Sequence, residues 1–354
     1  MQIVKRPYPD IVQRLEQKVK NNGSVRCGAF AGKCRFFDEP NVLWQYKHSS
    51  LPSIHKEVTM VSPETSQSQV VSAAGRPSKE SLATVRRYFS AEGLQPLIWE
   101  DFTAKYPQFE AQCETERGLE DPPSFREIRR RYDARAEYFD EMLMCNYELE
   151  ATITAYMLEL CRREAAVQIV DAGCGTGLHL ALLAENLPSA QIQAYDLSPG
   201  MVAVCQERLA RRRIKNAQVL RAKHVELGRL MRAGRADCII VKCSIDESHC
   251  IVKPNCLHEH CHAVYQAVRR RRLDVTRRFA KALRPGGILL EVGMLMPQAV
   301  PELIESAGTL GFDTDWEQSW EFAPTDRPLL ESLEKNRVVE PFIIALALRK
   351  RANE

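Results

Sequence analysis

Ile169-Val170-Asp171-Ala172-Gly173-Cys174-Gly175-Thr176-Gly177 constrains this chain more than any other stretch. The apolar run 167–170 reads as a short buried strand ending in a carboxylate. Leu180, Leu183, Ala184 and Leu187 then recur at helical spacing. The three glycines between strand and helix make a tight turn where a ligand reaches bare backbone. Amides opening the helix point at that ligand.

The rest of the chain repeats the unit. Gln191 to Asp196 is a second strand that also ends in a carboxylate, and Ser198-Pro199 starts a helix with a cap and an N1 proline. Residues 218–220, 238–241, 288–292, 316–322 and 342–348 read as further strands, with helices over 263–283 and 301–308. This alternation predicts an α/β fold: a doubly wound, mostly parallel seven-stranded sheet with helices on both faces, plus an N-terminal helical extension. Residues 1–75 carry a Ser/Thr/Gln-rich linker at 62–72 and no legible function. Residues 76–160 read as a helical lid, cap or dimerisation element, and 161–354 as the glycine-turn domain.

Composition narrows the partners. Forty-nine basic against 46 acidic residues leave a net charge of +3, too little to point to nucleic acid, and no second basic helix supports a helix-turn-helix. The arginine runs 211–213 and 269–272 read as solvated helix faces. No apolar segment is long enough for a membrane span, and no secretory leader is visible. The 12 cysteines then read as reduced thiols in a cytoplasmic protein. Tyr132, Tyr138, Phe139, Met142 and Tyr147 fall on one expected helix before the glycine turn, placed to fold partly over a ligand.

A dinucleotide turn is Gly-x-Gly-x-x-Gly, whereas here the third glycine comes one place early and Asp171 precedes the first. Asp196 ends the second strand, where a carboxylate accepts both hydroxyls of a ribose. Carboxylates at both strand ends suit a nucleoside with a cationic, zwitterionic tail better than a pyrophosphate.

Ile169 to Gly177, together with Tyr195-Asp196-Leu197-Ser198-Pro199-Gly200-Met201 and Leu283-Arg284-Pro285-Gly286-Gly287, resembles the class I S-adenosylmethionine-dependent methyltransferases. The resemblance covers roughly residues 125 to 350 and implies S-adenosylmethionine as cofactor for the domain 161–354. It implies that Gly173, Gly175 and Gly177, with Cys174 and Thr176 between them, wrap the methionine and ribose. Asp171 then holds the methionine amino group, Asp196 the ribose hydroxyls, and Leu197 and Met201 flank the adenine. Cys243, beginning the segment after the fourth strand, completes the set. Where the family places an Asp for the adenine amino group, this chain reads Ala222-Lys223-His224-Val225-Glu226. Lysine cannot accept a hydrogen bond, so backbone, His224 or another residue must serve.

In this family the segment after the fourth strand lines the pocket beside the transferable methyl. Asp246 and His249 are therefore the candidates for taking a proton from an incoming nucleophile. Tyr132, Tyr138 and His249 are the candidates for touching substrate. The Cys/His run from Cys243 to His262 lacks paired zinc-ligand spacings, and no metal is expected. Asp121-Pro122-Pro123-Ser124 resembles a DNA amino-methyltransferase signature but lacks its aromatic, and reads as a helix start. The resulting expectation is methyl transfer to a small-molecule O, N or S nucleophile. The alternatives are a protein, peptide or RNA acceptor, and a degenerate cofactor-binding scaffold that regulates a partner.

Overall fold

Ser78 has an extended backbone and its hydroxyl accepts from the Ser81 amide, which starts helix α1 (Lys79–Ala91). The computed structural model describes residues 76–109, 111–112, 124–231, 233–244, 259–295, 299–323, 326–329 and 342–352. Helix α2 (Trp99–Lys105) follows, and Trp99, Phe102, Tyr106, Phe109 and Tyr138 join in one aromatic cluster. The helix expected to carry Tyr132 to Tyr147 is three helices: α3 (Phe125–Arg135), α4 (Phe139–Met144) and α5 (Tyr147–Arg163). A capping box between Ser124 and Glu127 begins α3. The break after Arg135 bends the chain so that Tyr138 enters the aromatic cluster, stacked on Tyr106 with ring centroids 4.9 Å apart.

The sheet contains β1 (Gln168–Ala172), β2 (Gln191–Asp196), β3 (Ala217–Arg221), β4 (Ala236–Lys242), β5 (Leu283–Leu295), β6 (Phe312–Thr314), β7 (Trp320–Ala323), β8 (Arg327–Pro328) and β9 (Phe342–Lys350). Its order is β3-β2-β1-β4-β5-β9-β7-β8, with β6 also on β9. Strands β1 to β5 are mutually parallel, and β9 runs antiparallel beside β5. Among the described residues nine strands stand where seven were expected. The strand read over 316–322 is replaced by β6 and β7, which share one lane along β9 on either side of a single turn at 316–318. Strand β8 extends the edge by two residues.

Helices α6 (Leu178–Asn186), α7 (Pro199–Arg211), α8 (Glu259–Ala282) and α9 (Ala299–Thr309) connect the strands. Alternate strand residues divide the core. Ile169, Ile192, Cys238 and Ile240 pack against α1, α5, α6 and α7. Val170, Tyr195, Ile239 and Val241 pack with Val275 and Phe279 of α8 and Val300 of α9. The order reverses between β1 and β4, so the ligand crevice lies beyond the carboxyl ends of these two strands. Among the described residues no helix is long and apolar enough to cross a membrane.

Candidate functional site

The turn after β1 meets the end of β2 through backbone. Gly173 and Cys174 amides donate to the Tyr195 carbonyl at 2.7 and 3.1 Å. The Asp196 carboxylate then accepts from the Gly175 amide at 2.9 Å and the Ser198 amide at 2.8 Å. These bonds lock the carboxylate's position and leave lone pairs for a ligand. All three turn glycines have positive φ: 94°, 54° and 75° at Gly173, Gly175 and Gly177. A Cβ on Gly173 would lie 2.1 Å from the Cβ of Ser244, and one on Gly177 would lie 2.3 Å from the Cys205 sulfur. Packing as well as ligand access therefore requires glycine at both positions.

Asp171 lies at the end of β1, buried, with no hydrogen bond to its carboxylate among the described residues. Burial pushes its pKa up to about 7; the nearby Asp196 adds to the rise and Lys242 opposes it. Burial raises Asp196 as well, while the amides of Ser198, Gly175 and Leu197 counteract it. Two buried carboxyls thus lie together at this end of the sheet, and a perturbed pair of this kind is a candidate functional site.

The family model described as a methyltransferase domain matches residues 170–289, the stretch containing both carboxylates and the turn. Residues 170–289 thus match a methyltransferase domain. A release factor glutamine methyltransferase from Koribacter versatilis is 31% identical over 169 residues, 44% of this chain and 57% of that protein. A malonyl-(acyl-carrier protein) O-methyltransferase from Bacillus cytotoxicus is 27% identical over 81 residues, 23% of this chain and 28% of that one. The chain thus spans little more than half, or less, of the length of these curated relatives. A solved geranyl diphosphate methyltransferase in complex with GPP and sinefungin is 14% identical, with a TM-score of 0.41, over 62% of this chain and 81% of that one.

Several side chains of the methyltransferase domain and its helical cap differ from their sequence expectations. The Thr176 hydroxyl faces the cap, donating to Asp140 at 2.5 Å. Cys174 is buried in the core against α7, its thiol hydrogen-bonded to Cys205. Met201, expected beside the adenine, is fully buried on α7, and Leu197 is half-buried. Tyr138, expected at the substrate, is only 2% exposed and its hydroxyl donates to Gln112. Its ring packs with those of Phe102, Tyr106 and Phe109. Tyr132 meets Phe139 edge-on, and Phe139 approaches within 3.5 Å of where a Gly175 Cβ would sit.

Lys223 is exposed, its ammonium 5.7 Å from the centre of the Phe125 ring. His224 turns inward, hydrogen-bonded to the Ala172 carbonyl, which also accepts from Ser244 Oγ at 2.5 Å. Burial lowers His224 to about 4, so its ring is neutral and has one acceptor nitrogen. Cys243 is exposed with φ 49°, and its amide donates to Val292 at 2.7 Å. Asp246 and His249 lie outside the described residues, as do Cys250, Cys256, His258 and Asp121 to Pro123. His260, Cys261 and His262 fall on the backbone of α8. Among the described residues no three His, Cys, Asp or Glu side chains converge as a metal set.

Two buried polar groups behind the turn were not anticipated. Lys242 Nζ donates to Glu150 at 2.7 Å and approaches His179 Nε2 at 3.0 Å, while Thr154 Oγ1 lies 2.7 Å from His179 Nδ1. Lys242 and the neighbouring His179 hold Glu150 down to about 2 against its own burial. Lys242 shares a strand face with Cys238 and Ile240, and a cation at that alternation was a readable signal of a buried partner. Arg208 of α7 is the second group: it bonds Asp140 of α4, the Thr176 carbonyl and Glu92 at once. Nothing in the local sequence marks that triple contact.

Proposed function

We propose that this chain transfers the methyl group of S-adenosylmethionine to a nucleophile on a small acceptor entering beneath the cap. One observation carries the reading: a buried, unpartnered Asp171 and an amide-locked Asp196 flank the glycine turn at the switch in strand order. The cofactor's ammonium supplies the cation Asp171 lacks, and its ribose hydroxyls fit the open lone pairs of Asp196. Gly175, beneath Phe139, lets the chain pass close to the turn, and neutral His224 offers an acceptor near Gly173. When bound, the cofactor supplies a methyl already activated on a sulfonium. The protein's task is then positioning, with a base needed only for a protonated nucleophile. His249 and Asp246 remain our candidates for that base. A cytoplasmic setting suits the described thiols, which include Cys161, Cys174 and Cys205.

A second reading concerns how the acceptor arrives. The named relatives act on a release-factor glutamine and on a malonyl group held by an acyl-carrier protein. A small acceptor carried on a protein is thus as compatible with the site as a free one. Calorimetric titration tests the core proposal. S-adenosylhomocysteine should bind with a micromolar constant, about −8 kcal/mol, and NAD should not bind. Binding of NAD in its place would overturn it.

A further inference from the structure

We propose that the surface centred on Phe125 docks an acidic protein that delivers the acceptor; the idea rests on the methyltransferase reading and decides between its two forms. Lys223 and Arg271 cover the Phe125 ring, at 5.7 and 5.0 Å from its centre, and so bring the start of α3, the turn after β3 and the middle of α8 together. Arg126, Arg130, Arg221 and Arg270 are exposed on the same three elements, and of these six cations Arg130 acts on a carboxylate, that of Glu127 on its own helix. Residues 124–135, 221–229 and 269–281 hold fifteen Lys or Arg and four Asp or Glu, a net +11 in a chain of +3, although Arg135 and Arg272 are buried, Arg272 is paired with Glu291, and Arg269 lies near Glu302. The rest of the chain is therefore net negative. A cluster of exposed cations steers a partner of opposite sign toward it.

The surface also leads to the site. Asp133, on the same helix as Arg126 and about 10 Å further along it, accepts from Ser198 Oγ at 2.6 Å and Gly200 N at 3.0 Å, beside Asp196. A protein bound over Arg126 and Arg130 thus lies on the helix that also carries Tyr132, whose ring meets Phe139 beside Gly175. Single-stranded nucleic acid is the poorer fit. It stacks bases on open aromatic faces, and here both cations lie over the one ring at the centre. Arg126 and Arg130 are one helical turn apart, the spacing that carboxylates four apart on a partner helix present.

A labelled helical peptide of about twenty residues with Glu at every fourth position tests the surface by fluorescence anisotropy, against an RNA strand of equal charge. The full chain should bind the peptide, with affinity falling about tenfold or more between roughly 50 and 200 mM salt. Arg126→Glu/Arg130→Glu should weaken it at least about tenfold. The control Arg86→Glu/Arg87→Glu, which changes the net charge equally on α1, should leave it within about threefold. Absence of peptide binding, equal loss in the control, or tighter binding of RNA than peptide would each overturn the proposal. S-adenosylhomocysteine affinity, measured in the same samples, separates failure of the surface from failure of the enzyme reading.

Discussion

The Thr176 hydroxyl donates to the Asp140 carboxylate at 2.5 Å, so the cap is bonded to the glycine turn itself. Arg208 ties both ends of that contact, reaching Asp140 and the Thr176 carbonyl from α7. Asp140→Ala should cost about 1.5–3 kcal/mol, the range for a hydrogen bond to a charged group. Urea denaturation reads the loss. S-adenosylhomocysteine affinity should fall with it by roughly tenfold, because the turn loses its outer support. An unchanged affinity would separate the cap from the cofactor.

Cofactor affinity should depend on pH through Asp171. Its folded pKa of about 7 lies above the ordinary carboxylate value, chiefly through burial. The folded state thus binds an extra proton between about pH 4 and 7, and its stability falls as pH rises through that window. A ligand ammonium needs the ionised form, so binding releases that proton. Affinity for S-adenosylhomocysteine should rise about tenfold per pH unit up to roughly pH 7 and then level off. Asp171→Asn should flatten the profile and weaken binding above pH 7, which calorimetry in buffers of different ionisation enthalpy can check. A slope surviving in the variant would assign the proton to another group.

Gly177→Ala should destabilise the domain. Its φ of 75° costs a side chain about 1–2 kcal/mol, and the new methyl would meet the Cys205 sulfur at 2.3 Å. Adding Cys205→Ala should recover part of the thermal stability but not all of it, since the Cys205 Cβ and Cα stay at 3.1 and 3.4 Å. Full recovery would mean that backbone strain there is negligible.

Lys242→Met should be severe, about 3–5 kcal/mol, because it leaves Glu150 buried with a charge and without its cation. Lys242→Met/Glu150→Leu should be markedly more stable than the single variant. The depressed Glu150 pKa adds a sign: its stability is present above the ordinary carboxylate value and is lost as pH falls toward about 2. Chemical denaturation at neutral and acid pH measures both effects. Equal stability of single and double variants would show that the pair is not coupled.

Local patterns in the chain determined the strand-turn-helix at Asp171 to Gly177, the Ser198-Pro199 helix start and the two carboxylates at strand ends. Each is a property of neighbours in sequence: period-two alternation, a cap residue, a glycine where φ must be positive. The edge of the sheet was less legible, because β6 and β7 are short and defined by what they pair with on β9. Tertiary structure alone decided which side chains beside the turn are buried. Tyr138 and Met201 have the right spacing for a pocket, yet packing uses both for the core, since burying a large apolar side chain is worth more than presenting it to solvent. The Arg208–Asp140 contact spans 68 residues, and Lys242–Glu150 spans 92. No local rule reaches that far; such charges are buried only after the fold brings a partner to them.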